Sequence, residues 1–193
     1  MPASGRPAAP AFPHLRPARW PDDEAQLAAL DTSFETDRVY RVRRDPLAFA
    51  LVEEPVTPTL RKSYPVLRPD AGRLRGLGHV RVAEAGGVLV GLVAAARSTW
   101  NQRVEVEDLY VAPAARGRGV GRALMRSVVT YARGVAARCV WLETQTVNYP
   151  AVQFYRRLGF RLCGLDESLY EPGTVARTAP PEIALFFVLD LPT

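Results

Sequence analysis

The chain has 193 residues, 48% hydrophobic and 23% charged, with 25 Lys and Arg against 20 Asp and Glu for a net charge of +5. This composition suits one folded domain with a sizeable core and excludes a disordered or fibrous chain. No apolar run approaches the roughly 18 residues that span a bilayer, and residues 1–13, MPASGRPAAPAFP, lack the apolar core of a secretory signal.

Residues 1–13 read as a flexible Pro/Ala-rich tail ahead of a single domain over 14–193. HLRPAR (14–19) predicts a first strand. PDDEAQLAAL (21–30) predicts a helix, with Asp22 as its cap and acidic residues in its first turn. TDRVYRVRR (36–44) has strand character, whereas EEPVTPTLRKSYPVLRPDAGRLRG (53–76) is punctuated by proline and reads as irregular. HVRVAEAGGVLVGLVAAARS (79–98) is a pair of apolar strands turning at Ala85-Gly86-Gly87. RVEVEDLYVAP (103–113) is a further strand ended by Pro113. GRALMRSVVTYARGV (121–135) follows with apolar residues at helical spacing. CVWLET (139–144) is a strand and NYPAVQFYRRLG (148–159) a helix, capped by Asn148 and stopped by Gly159. FRLCGL (160–165) and EIALFFVLDL (182–191) are the last strands, joined by a long connection over 166–182. The order describes a mixed sheet with helices on its faces.

Cys139 and Cys163 stand in apolar surroundings without metal-ligand spacing and read as reduced core cysteines of a cytoplasmic protein. His14 and His79 are far apart, which argues against a histidine triad, and no metal is expected. Every basic residue but Lys62 is arginine, and the arginines are scattered, which weighs against nucleic acid as a partner. Acidic residues do cluster: Asp31, Glu35 and Asp37; Glu53 and Glu54; Glu105, Glu107 and Asp108. Such clusters suit a cation.

Between the strand at 103–113 and its helix runs RGRGVG, Arg116 to Gly121. Alone it is open to three readings: a phosphate cradle at a helix N-terminus, a basic nucleic-acid contact, or a flexible turn. It lacks the lysine of a P-loop and the full glycine spacing of a Rossmann turn. In the helix at 148–159, Asn148, Ala151 and Tyr155 fall on one face, with Tyr155 readable as a packed core residue or as a working phenol.

Together these two motifs resemble the GNAT superfamily of N-acetyltransferases. Arg116-x-x-Gly119-x-Gly121 is similar to its R/Q-x-x-G-x-G/A signature, and Asn148…Ala151…Phe154-Tyr155…Gly159-Phe160 to its second conserved segment. LDTSFETDRVYRV (30–42), EEPVTPTLRKSYP (53–65), LETQTVNYPAVQFYRRLGF (142–160) and EIALFFVLDL resemble the streptothricin acetyltransferases within it.

The resemblance implies an α/β (α+β) fold: a mixed, mostly antiparallel sheet of six to seven strands with helices on both faces. It implies acetyl-CoA as cofactor, held by Leu109, Tyr110 and Val111, by Arg116, Gly117, Arg118, Gly119, Val120, Gly121 and Arg122, and by Asn148, Ala151 and Tyr155. It gives Tyr155 the role of protonating the departing thiolate, and Glu143, Glu107 or Glu105 that of deprotonating the amine. The acceptor is expected to be a small cationic amine met by Asp31, Glu35, Asp37, Tyr40 and Asp108. Acetylation of a protein N-terminus or lysine, and a non-catalytic acyl-CoA-binding module, are the alternatives. A homodimer is expected from the family, and neither a membrane nor nucleic acid as partner.

Overall fold

A computed structural model describes residues 13–64, 72–170 and 181–192. All of the expected Pro/Ala-rich tail except Pro13 lies outside the described residues, as do 171–180 of the long connection.

The body is a seven-stranded sheet. Its strands are β1 (His14–Pro17), β4 (His79–Ala85), β5 (Val88–Ser98), β6 (Arg103–Val111), β7 (Cys139–Gln145), β8 (Arg161–Asp166) and β9 (Ala184–Asp190), in the order β1-β4-β5-β6-β7-β9-β8. Only β6 and β7 run parallel. A parallel pair needs a crossover, supplied here by helix α3 (Val120–Gly134). The β4–β5 turn places Gly86 and Gly87 at φ 58° and 80°, the left-handed values that a two-residue hairpin turn demands. The expected mixed, mostly antiparallel sheet is present.

Side-chain alternation divides the core between the two faces. Leu92 and Ala94 of β5 pack with Val82 and with Leu27 of α1 (Glu24–Ala28) and Leu74 of α2 (Gly72–Arg75). Their neighbours Val93 and Ala95 point the other way, onto Leu124, Met125 and Val128 of α3. Val152 and Tyr155 of α4 (Tyr149–Arg157) extend this second core over Leu142 and Phe187. Helices therefore cover both faces, as expected. No helix among the described residues is long and apolar enough to cross a membrane.

The proline-rich stretch corrects the expectation. Residues 53–62 are not irregular but belong to a long strand, β3 (Ala48–Lys62), paired with β2 (Phe34–Asp45) in a separate two-stranded ribbon. The register explains how a strand tolerates them. Thr36 faces Leu60 and Arg38 faces Pro55, so residues 56–59, with Pro58 among them, bulge opposite Asp37 alone. Among the described residues the other edge of β3 carries no strand, and proline is accepted at edges and bulges. The ribbon is tied to the body by the Tyr40 amide, which donates to the Thr146 carbonyl at 2.9 Å.

Two smaller expectations also change. Asp23, not Asp22, is the N-cap of α1, and it caps no helical amide. Its carboxylate instead accepts from Arg16 of β1 at 2.7 and 2.8 Å and from the Arg19 amide at 2.7 Å. Cys139 is buried and Cys163 exposed, both as free thiols. Cys163 is the extra residue of a bulge on edge strand β8, which turns it outward.

Candidate active site

Strands β6 and β7 are paired only from Arg103–Val106 to Cys139–Leu142. Beyond that they part, β6 staying with β5 and β7 with β9. The amide of Ala112 donates to Val90 of β5. Antiparallel alternation therefore turns the amides of Leu109 and Val111 toward the opening.

A bulge shapes this part of β6. Ala94 faces Asp108 while Ala95 faces Val106, leaving Glu107 as the extra residue. The bulge brings Asp108 onto the face opposite α3 with Glu105, and Glu107 meets the same Arg73 as Asp108. Glu105 lies in the closed part of the strand pair, where Arg103 donates to it at 2.8 Å. The Arg103 guanidinium also covers the Trp141 ring, 4.1 Å from its centroid. Arg73 of α2 reaches both Asp108, at 2.5 Å, and Glu107, at 3.5 Å. Burial lifts the Glu107 pKa above the usual carboxylate value; the Arg73 charge opposes this, and Glu105 and Asp108 add to it.

Glu143 is the first β7 residue past the paired stretch. The hydroxyl of Tyr170 donates to it, and that of Tyr64 donates to Gln145, two residues along the same face. Tyr155 is 7% exposed and packs edge-on to Phe154. Burial, and then the nearby charges of Glu143 and Tyr110, hold its phenol well above the ordinary tyrosine pKa. Tyr64 stacks on Phe34 at 6.1 Å between centroids and leans on Tyr110 at 6.5 Å. The Lys62 ammonium pairs with Glu182 and sits over the Tyr64 ring, 4.7 Å from its centroid.

At the other end of the opening lies the glycine loop. Gly117 and Gly119 have φ 75° and 80°, a region open to glycine. Gly119 is the N-cap of α3, and the first turn has no side-chain cap and no acidic residue. Unpaired amides at such a helix start favour an anion. Two residues do something other than expected. Arg116 donates to the carbonyls of Val111 at 2.9 Å and Ser33 at 2.5 Å, so its guanidinium fastens the loop to β6 and to the start of the ribbon. A Cβ at Gly121 would lie 3.2 Å from the Phe154 ring, so glycine there eases the approach of α4. Arg118 and Arg122 are exposed and form no ion pair among the described residues. Asn148 caps α4 as expected, its side chain accepting from the Ala151 amide at 3.2 Å.

The residues expected to meet the substrate are not gathered in one place. Asp31 closes its own turn by accepting from the Ser33 amide at 2.8 Å. Glu35 pairs with Arg61 on the ribbon, and Asp37 is exposed at the ribbon's bulge. Tyr40 is buried on the outer flank of α4, where it donates to Glu53 at 3.2 Å and accepts from Gln153 at 2.7 Å. It helps line a cavity of about 410 Å³ with Leu51, Val152 and Phe160. Tyr64, Gln145 and Tyr170 went unremarked in the sequence. A tyrosine inside a proline-punctuated stretch, as in KSYP and LYEP, is the one local cue to either phenol.

Comparison with known proteins places this geometry. The acetyltransferase (GNAT) family matches residues 37–160. A streptothricin acetyltransferase of Streptomyces lavendulae is 41% identical over 188 residues, covering 92% of this chain and 95% of its own length. The crystal structure of a nourseothricin acetyltransferase matches with a TM-score of 0.80 at 42% identity, over 93% of this chain and 98% of that one. A candidate streptothricin acetyltransferase from Bacillus anthracis str. Ames, solved in complex with acetyl coenzyme A, shares the fold at a TM-score of 0.75 and 23% identity, over 92% of this chain and 99% of that one.

Proposed function

The chain belongs to the GNAT family of acetyltransferases, and from that membership we propose that it acetylates a primary amine of a small cationic substrate of the streptothricin class, using acetyl-CoA. The observation that carries the reading is the opening between β6 and β7, with an uncapped helix start at one end and Glu143 and Tyr155 beside it. The name of the Streptomyces relative supports the substrate class, which makes antibiotic inactivation the biological role.

The glycine loop fits a diphosphate, because Gly119 leaves the first amides of α3 without a side chain over them. Residues 117–122 hold the diphosphate, and Arg118 and Arg122 lend charge. Bound acetyl-CoA supplies an activated thioester. The Leu109 and Val111 amides face the opening and offer donors to a carbonyl oxygen that gains charge. Glu143 takes the proton that the acceptor ammonium must lose before its nitrogen has a lone pair. Tyr155, protonated at neutral pH as any phenol is, would give its proton from Oη to the departing thiolate and recover one from the acylated nitrogen.

The test is release of free thiol from acetyl-CoA in the presence of streptothricin, polyamines or peptides with free N-termini. Release with streptothricin is expected. Release with peptides alone would make the chain a protein acetyltransferase, and silence with every amine would leave an acyl-CoA-binding module.

A further inference from the structure

We propose that Tyr170 is a positioning residue for the transfer reaction, its hydroxyl fixing the Glu143 carboxylate where β6 and β7 part. The inference rests on the reading of Glu143 as the base.

Val140 and Leu142 lie in the core under α3 and α4, so Glu143 faces the opposite side of the sheet. Glu143 stands one residue past the last parallel pair, Val106 with Leu142. A base works only when its carboxylate is aligned with the amine. The Tyr170 hydroxyl contributes to that alignment. The residue enters from beyond the end of β8, a segment with no other described part in the site, and its hydroxyl donates to Glu143 Oε1.

The groups facing Glu143 sort as follows. Tyr170 approaches from beyond β8 and Tyr64 from beyond the end of β3, while Tyr155 belongs to α4 on the other face and feels the Glu143 charge from there. Tyr110 of β6 lies against Tyr64, 6.5 Å between ring centroids, and Glu182, paired with Lys62, acts on Tyr64 by its charge. Burial first, and the Glu143 charge after it, raise the phenols of Tyr170 and Tyr155. Burial also raises Tyr64, with Glu182 ahead of Glu143 among the charges. All three phenols therefore remain protonated at neutral pH. A donor on an ionised carboxylate favours the charged form. Removing the Tyr170 hydroxyl withdraws that donor, so Glu143 holds its proton to higher pH.

The experiment is the pH profile of kcat/KM for the wild type, Tyr170→Phe, Glu143→Gln and the double variant. Loss of one charge-assisted hydrogen bond moves the acid limb of Tyr170→Phe upward by about one pH unit. Glu143→Gln loses that limb, and adding Tyr170→Phe to it changes nothing further. Acetyl-CoA affinity, measured by calorimetry, is unchanged in Tyr170→Phe. An unmoved limb in Tyr170→Phe, with Glu143→Gln lacking it, overturns the positioning role and leaves the base in place. A wild-type limb in Glu143→Gln overturns the base, and the inference falls with it. If Tyr170→Phe folds poorly, Glu143→Asp draws the carboxylate one methylene back from the hydroxyl. It is expected to raise the limb in the same sense, and an unmoved limb there overturns the inference.

Discussion

The Phe154 ring stands where a side chain at position 121 would have to go, with 3.2 Å between a Cβ there and the ring. The start of α3 thereby meets α4 through the Phe154 ring. Gly121→Ala requires the Phe154 ring to give by a few tenths of an ångström, an overpacking cost of about 1–3 kcal/mol that the better helix propensity of alanine offsets by about 1 kcal/mol. Any share of the shift that falls on α3 displaces the amides that begin it. A lower Tm together with weaker acetyl-CoA binding by calorimetry is expected, and unchanged values of both would show that the contact yields without consequence.

Tyr155→Phe keeps the ring that packs on Phe154, Phe160 and Phe187 and removes only the hydroxyl. Loss of a general acid lowers kcat by about 10²–10⁴-fold. The Kd for acetyl-CoA stays near the wild-type value, since the ring and its packing are kept. Steady-state kinetics beside calorimetry separate the two, and a wild-type kcat would remove Tyr155 from the chemistry.

His79 is 4% exposed, stacks on Tyr131 and bonds to Ser127 at 3.0 Å. Burial, aided by the Arg81 charge, pushes its pKa down to about 4. The unfolded chain, with histidine near 6.5, then binds more protons than the folded one between these values. Stability is complete above about pH 6.5 and declines as pH falls toward 4, no more steeply than the roughly 1.4 kcal/mol per pH unit that one proton gives. Thermal melts at pH 7 and pH 5 measure the fall. His79→Gln is expected to reduce the difference between them, and an equal difference would clear His79 of the effect.

Asp23 joins α1 to the edge of the sheet through Arg16, which also pairs with Glu84 of β4 at 2.7 Å. Arg16 holds the Asp23 carboxyl below its usual pKa. Asp23→Ala leaves the guanidinium with one carboxylate partner, Glu84, and the Arg19 amide with none from this side chain. A loss of about 2–3 kcal/mol is expected, at the low end for a buried pair because β1 is an edge strand. Denaturant unfolding measures it; a loss under about 0.5 kcal/mol would class the pair with solvent-exposed ones.

The elements from residue 79 onward were legible because each carries its own period and its own punctuation. Alternating apolar strands, Gly86-Gly87 and the Asn148 cap are local signals, and local structure follows them. Strand β3 was hidden because its prolines signal a break, and only the missing neighbour on one edge and the bulge opposite Asp37 make them acceptable. Gly121 was legible as a motif glycine but not for its reason, which is an aromatic ring from another helix. The same holds for Arg116, whose carbonyl partners lie on β6 and at the start of the ribbon. Tyr64 and Tyr170 flank β7 only after the fold has brought distant segments together, a relation that no short window of sequence contains.

The pairing of Lys62 with Glu182 bears on how the protein lives with its own chemistry. All but one of its 25 basic residues are arginine, whose guanidinium keeps its proton and offers no nucleophilic amine. The one lysine is held as an ammonium against a carboxylate and an aromatic face. A catalyst that activates acetyl groups for attack by amines thus carries a single lysine amine of its own, and that one is engaged by Glu182 and the Tyr64 ring.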